Sequence, residues 1–187
     1  MDAALAWIGQ IAEFVGRFFP RIMIIDPRFA AVKFVRGGKV KVCPPGGLYF
    51  YWPLTTTVDT YVVVRQVDNL KTQTFVTRDD RVISVGGMIV YSVHNIEWVL
   101  TRVHDLERTI NDISLTCIHD VCCKMDWETL KREQREGTLD TKMKNSVKAD
   151  LHNYGVLVEK VMLTDLAPCR VLKVVQSVSN DGDGKAF

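Results

Sequence analysis

The sequence predicts an α+β fold, and three observations predict it. Residues 24–93 read as extended runs broken by glycine and proline, residues 96–155 repeat apolar positions at three- and four-residue steps, and residues 156–163 return to a valine-rich extended pattern. An amphipathic stretch, residues 1–23, precedes this body, and a polar tail, 173–187, follows it.

Composition sets the outer limits. With 187 residues, 47% hydrophobic and 25% charged, the chain has material for one core, or two small cores sharing a face. A net charge of +2 is too mild for a nucleic-acid-binding protein, which would concentrate lysine and arginine in one dominant patch. The charge is nevertheless uneven. Arg17, Arg21, Arg28, Lys33, Arg36, Lys39 and Lys41 are opposed between positions 17 and 41 only by Asp26, a balance that favours an anionic lipid surface. Cys43, Cys117, Cys122, Cys123 and Cys169 are odd in number and irregular in spacing, so free thiols in a reducing compartment are expected, on the cytosolic side of a membrane.

The amphipathic stretch comes first in the chain. Glu13, Arg17 and Arg21 interrupt it, leaving less than the roughly 18–20 apolar residues that span a bilayer. Asp2 and the lack of a basic leader disfavour a secretory signal. Leu5, Ile8, Ile11, Ala12, Val15, Phe18, Phe19 and Ile22 fall on one helical face, widened by Trp7 and Phe14. Such a helix suits the bilayer interface, lying in its plane, with a re-entrant hairpin as the variant geometry. The expected membrane contacts are therefore Leu5, Trp7, Ile8, Ile11, Phe14, Val15, Phe18, Phe19 and Ile22, with Arg17, Arg21 and Arg28 facing anionic lipid. The alternative is a helix docked on the following domain or in a partner's groove, as in a soluble interaction module.

The extended half opens with Ala30–Val35 and Lys39–Cys43, joined by Gly37 and Gly38, a pair suited to a tight hairpin. Pro44–Pro53 then breaks the strand and supplies Tyr49, Phe50, Tyr51 and Trp52, either a second membrane contact or, by the ordinary habit of aromatics between prolines, core filling under a loop. Valine-rich and alternating runs follow at 57–67 and 70–77. Residues 77–80 form a turn into a long strand, 81–93, apolar on both faces and so expected at the centre of a sheet.

Helices are expected at 96–103, at 106–125, and from an N-cap at Thr138 to a C-cap at Gly155, and the closing strand 156–163 follows. Pro168 is expected to open a short helix.

Catalytic signatures are absent from the sequence: no GxSxG elbow, Walker loop or GxGxxG turn occurs, and no nucleophile, base and orienter form a set. No cofactor is expected. Cys117, His119, Cys122 and Cys123 form a weak metal candidate whose ordinary reading is small buried side chains. Cys43, beside the aromatic run, is a candidate acylation position whose ordinary reading is a strand-end cysteine. His94, His104 and His152 show no partnering pattern.

Four segments in order resemble one family. RFAAVKFVRGG at 28–38, PPGGLYFYWP at 44–53, QTFVTRDDRVISVGGMIVYSV at 73–93 and YGVLVEKVMLTDLAP at 154–168 are similar to the stomatin/prohibitin/flotillin (SPFH, band 7) domain, over residues 24–172. The resemblance implies an antiparallel β-rich first half with helices packed on the sheet. It also implies a peripheral or hairpin-anchored membrane scaffold that is not an enzyme. Its partners would be membrane lipids, further copies in a homo- or hetero-oligomer, and a membrane protein or membrane protease. Such domains usually continue past the Pro168 position into a long charged helix; here about twenty residues follow it.

Overall fold

Gly37 and Gly38 turn the chain between β2 (Phe29–Val35) and β3 (Lys39–Cys43), the expected hairpin, which pairs from Val35 with Lys39 to Ala31 with Cys43. The computed structural model describes Gly16 and residues 18–169. Ahead of the hairpin lies β1 (Arg21–Ile24); after it come β4 (Leu48–Tyr51), β5 (Thr56–Val62), β6 (Gln66–Val76) and β7 (Val82–Val93). Four helices follow, α1 (Ile96–Arg102), α2 (Leu106–Cys123), α3 (Trp127–Glu136) and α4 (Thr138–Leu151). A 3-10 turn, His152–Tyr154, leads into β8 (Val156–Pro168). The fold is α+β, and every strand pairing among the described residues is antiparallel.

The described strands form three sheets, in the orders β1-β4, β3-β2-β5 and β6-β7-β8. β7 sits at the centre of its sheet, as its two apolar faces require. Ile83, Val85, Ile89, Tyr91 and Val93 are buried, while the opposite face is half-covered. The turn into β7 is tied by side chains: Thr77 Oγ1 donates to Asp79 Oδ1 at 2.6 Å, and the Arg81 amide donates to Thr77 Oγ1 at 3.2 Å. Asp79 Oδ1 also accepts from the Trp127 amide at 3.1 Å, which fixes the start of α3.

The main core lies between this sheet and the helices. Ile110, Ile118 and Cys122 of α2 and Leu139, Met143, Val147 and Leu151 of α4 are inaccessible to solvent or nearly so, at the three- and four-residue spacing that aims them inward. Burying each such side chain stabilises the fold by roughly 1.5–3 kcal/mol. Ala30 and Val32 join the same core from the other side of β2. A second, much smaller core holds Ile25, Ala31 and Cys43, with Met23, Phe29, Tyr49 and Val58 packed around them.

Four elements differ from the sequence expectation. The strand pattern begins at Arg21, not Ile24, because Pro20 cannot donate to a helical turn and its ring clashes with the preceding one. Helix α3 was not expected: its sequence WETLKREQRE offers only Trp127 and Leu130 to the core, too few apolar positions for a period to show. Gly137, left-handed at φ 73°, ends α3 and immediately begins α4, so Thr138 is the first helical residue and not the cap. β8 runs on to Pro168, opposite Ile83, so the proline closes the strand where a helix start was expected.

Candidate membrane-contacting face

β1 and β4 pair as a two-stranded ribbon, Ile22 opposite Phe50 and Ile24 opposite Leu48. Side chains alternate across a strand, so these four share one face. That face is turned to solvent: Ile22 is 61% exposed, Ile24 78%, Leu48 56% and Phe50 61%. Phe18 and Phe19 just before the ribbon, and Trp52 and Leu54 just after it, are exposed as well. A contiguous surface of large apolar groups of this kind marks an interaction site in a water-soluble domain.

The ribbon's other face looks inward. Met23 and Tyr49, opposite one another in register, pack on the small core, and the Tyr49 hydroxyl donates to the Pro44 carbonyl at 3.1 Å. Gly47 leaves room for this ring, since a Cβ there would meet the edge of Tyr49 and push it from its place. The layer beneath is the β3-β2-β5 sheet. Register places Phe29, Ala31, Lys33 and Val35 of β2 on the side of the small core, together with Lys39, Lys41 and Cys43 of β3. Lys33 is 8% exposed; its ammonium donates to the Phe50 carbonyl at 2.7 Å and sits 5.1 Å from the Tyr49 ring centroid. One buried cation thus binds the ribbon to the sheet, gaining both a charge-assisted hydrogen bond and a cation–π contact. Lys39 and Lys41, on the same side of the sheet, are exposed.

The family model of the SPFH domain / Band 7 family matches residues 23–179. The chain belongs to the SPFH/band 7 family. Comparison with curated proteins finds no match. Members of the family are in general membrane-associated, oligomerising scaffolds without enzymatic activity. No described helix of this SPFH domain is long and apolar enough to cross a membrane.

The residues singled out in the sequence fare differently. Leu5, Trp7, Ile8, Ile11, Phe14, Val15 and Arg17 lie outside the described residues. Phe18, Phe19 and Ile22 are exposed, Ile22 on a strand and not on the expected helix. Arg21 is exposed and pairs with Tyr51 in register. Arg28 is committed to Asp26, its Nε at 3.2 Å from Oδ1 and its Nη2 at 3.2 Å from Oδ2, and the guanidinium holds the Asp26 carboxyl below the usual carboxylate range. Its charge is therefore shared with a neighbouring carboxylate.

Cys43, the candidate acylation position, closes β3 with no exposed surface, packed in the small core as a strand-end cysteine. The aromatic run divides between its two readings: Tyr49 packs inward as core filling would have it, while Phe50 and Trp52 alternate out to solvent. Sequence reasoning missed Ile24, Leu48, Phe50, Trp52 and Leu54 as one surface with Ile22. The signal was the Pro20 break, which turns residues 21–24 into a strand able to pair with 48–51.

Among the metal candidates, Cys122 is fully buried and Cys117 nearly so, the Cys117 Sγ donating to Asp150 Oδ2 at 3.1 Å. Burial pushes the Cys117 thiol up to about 11 and the Cys122 thiol up to about 12. His119 Nε2 and Cys123 Sγ stand 3.3 Å apart on the outer side of α2, and no three histidine, cysteine or acidic groups converge among the described residues. Two ligands fall short of a zinc site.

Proposed function

We propose that this SPFH domain is a membrane-bound oligomeric scaffold. It lies on the cytosolic face of a bilayer with the outer face of the β1–β4 ribbon in the interface, beside the N-terminal amphipathic segment. In that position it organises a membrane microdomain or shields a membrane protein or protease. One observation carries the reading: Ile22, Ile24, Leu48 and Phe50 form a single exposed apolar face that no part of the described chain covers. The exposed lysines 39 and 41 add a cationic side to the layer beneath, as an anionic leaflet favours. The absence of a described membrane-spanning helix is compatible with this in-plane contact.

Liposome flotation tests it, comparing the wild type with Ile24→Glu/Phe50→Glu and with Trp7→Glu/Phe14→Glu, on vesicles of phosphatidylcholine with and without phosphatidylserine. Removing two large apolar contacts forfeits roughly 1.5–3 kcal/mol apiece, so the ribbon variant should lose at least about tenfold in vesicle partitioning while keeping its far-ultraviolet circular dichroism. Unchanged flotation of the ribbon variant would remove the ribbon from the contact. A small monodisperse species indifferent to lipid would support the soluble interaction module instead.

A further inference from the structure

A second surface, apart from the ribbon, has the parts of a peptide-binding groove. At the start of β8 a cavity of about 410 Å³ is walled by Trp98, Val156 and Leu157 and rimmed by His94, Lys148 and His152. No acidic side chain lines it. None of the three rim groups belongs to an ion pair among the described residues. The rim therefore places one cation without an ion-pair partner, Lys148, and two imidazoles that can donate hydrogen bonds next to an apolar wall.

The wall is rigidly built. Gly155, at φ 81°, accepts from the amides of His94 at 2.9 Å and Asn95 at 3.0 Å through its carbonyl, and a Cβ there would lie 2.4 Å from the Asn95 carbonyl oxygen. Asn95 Oδ1 accepts from the Trp98 amide at 3.2 Å, capping α1. The Arg102 guanidinium lies 4.3 Å from the Trp98 ring centroid and donates to the Asn153 carbonyl at 3.3 Å, clamping the indole from one side. A wall whose backbone and indole are already fixed loses less entropy when the pocket is filled than a mobile one would.

What distinguishes the place is the strand that leaves it. β8 pairs with β7 on one side, and no described strand pairs with its other edge, while α4, which supplies Lys148, packs against it. An extended chain laid antiparallel to β8, as every strand in this sheet is to its neighbour, would end at the cavity. We propose that this groove binds the C-terminal segment of a partner polypeptide. The main chain adds to the free edge of β8, the last side chain, large and apolar, enters beside Trp98 and Leu157, and the terminal carboxylate meets Lys148, His94 and His152. Strand addition supplies affinity through main-chain hydrogen bonds, and the charged pocket supplies selection for a free chain end. The inference does not rest on the membrane reading.

Fluorescence anisotropy of a labelled hexapeptide of alternating threonine and valine ending in leucine tests it, with the peptide as free acid and as amide. The acid should bind saturably and the amide at least about tenfold more weakly, since a hydrogen-bonded charge is lost. Lys148→Glu, at an exposed position that leaves the fold intact by circular dichroism, should abolish binding of the acid. Equal binding of acid and amide, or no saturable binding of either, overturns the proposal. So does displacement by decanoate as effective as by unlabelled peptide, because an apolar anion would then suffice without main-chain pairing.

Discussion

The two layers of this SPFH domain are built by the same alternation of side chains but to different depths. The β6-β7-β8 sheet meets two long helices and, from the face turned to them, gives its large apolar side chains to a continuous core, Ile83 and Ile89 packing with Ile110, Leu139 and Leu151, while Val67, Val76 and Leu157 stay exposed. The ribbon and the β3-β2-β5 sheet enclose only Ile25, Ala31 and Cys43, and leave Ile24 and Phe50 outside. The contrast teaches where surplus hydrophobicity resides. The ribbon face is the largest set of apolar side chains that the described residues leave uncovered, and the proposed bilayer contact would cover it.

The sharpest way to break that contrast is to truncate one leucine in each layer. Leu139→Ala should destabilise the domain by about 2–5 kcal/mol, since it leaves a cavity in a core with no exposed surface to relax into. Leu48→Ala, on the open face, should change stability by no more than about 0.5 kcal/mol. Urea denaturation followed by circular dichroism measures both. If Leu48→Ala costs as much as Leu139→Ala, the ribbon face is packed in solution and the contrast between the layers fails.

Much of this plan can be read in the sequence, and where it cannot, the reasons are physical. The β2–β3 hairpin was legible because Gly37 and Gly38 announce a turn between two valine-containing runs, and β7 because thirteen consecutive residues, 81–93, lack any breaker beyond Gly86 and Gly87. Helix α3 was not, because a helix that rests on Trp127 and Leu130 alone writes almost no periodicity. The ribbon was half-legible. In LYFYW every position is apolar or aromatic, so alternation cannot say which side faces in; that is decided by Lys33, sixteen positions before Tyr49, whose ammonium reaches the Phe50 carbonyl and the Tyr49 ring from another strand. Cys43 and Arg28 show the same limit: burial beneath Tyr49 and pairing with Asp26 are three-dimensional facts that residue type does not disclose.

A smaller effect separates the layers by pH. With Cys122 at about 12 and Cys117 at about 11, both raised chiefly by desolvation in the main core, the native state keeps protons that an unfolded chain releases near 9. Tyr91 adds in the same direction, its hydroxyl raised by burial and by its bond to Asp68 at 3.0 Å. The folded state then binds more protons than the unfolded one between about pH 9 and pH 12, so stability is complete below pH 9 and falls as pH rises through that window. The slope is bounded by roughly 1.4 kcal/mol per pH unit for each group. Cys122→Ala, compared by slope and not by absolute stability, should flatten the fall measured by urea titrations at pH 8, 9 and 10; an unchanged slope would mean that the thiol is not held protonated by the core.

The smallest expected effect concerns the open layer and its charge. Asp26 binds Arg28 through both carboxylate oxygens at the surface, where an ion pair contributes little to folding. Asp26→Asn should therefore leave the thermal midpoint unchanged while freeing the guanidinium beside the β1–β4 ribbon. If that ribbon meets an anionic leaflet, flotation on phosphatidylserine-containing vesicles should rise about twofold or more, and flotation on neutral vesicles should not, with the difference fading as salt shortens the reach of the freed charge. Equal gains on both vesicle types would show that the asparagine acts on the apolar contact, and no gain on either would place Arg28 away from the lipid surface. The variant thus asks which edge of the exposed face points toward the headgroups, a question that the glutamate substitutions on Ile24 and Phe50, by abolishing contact altogether, cannot address.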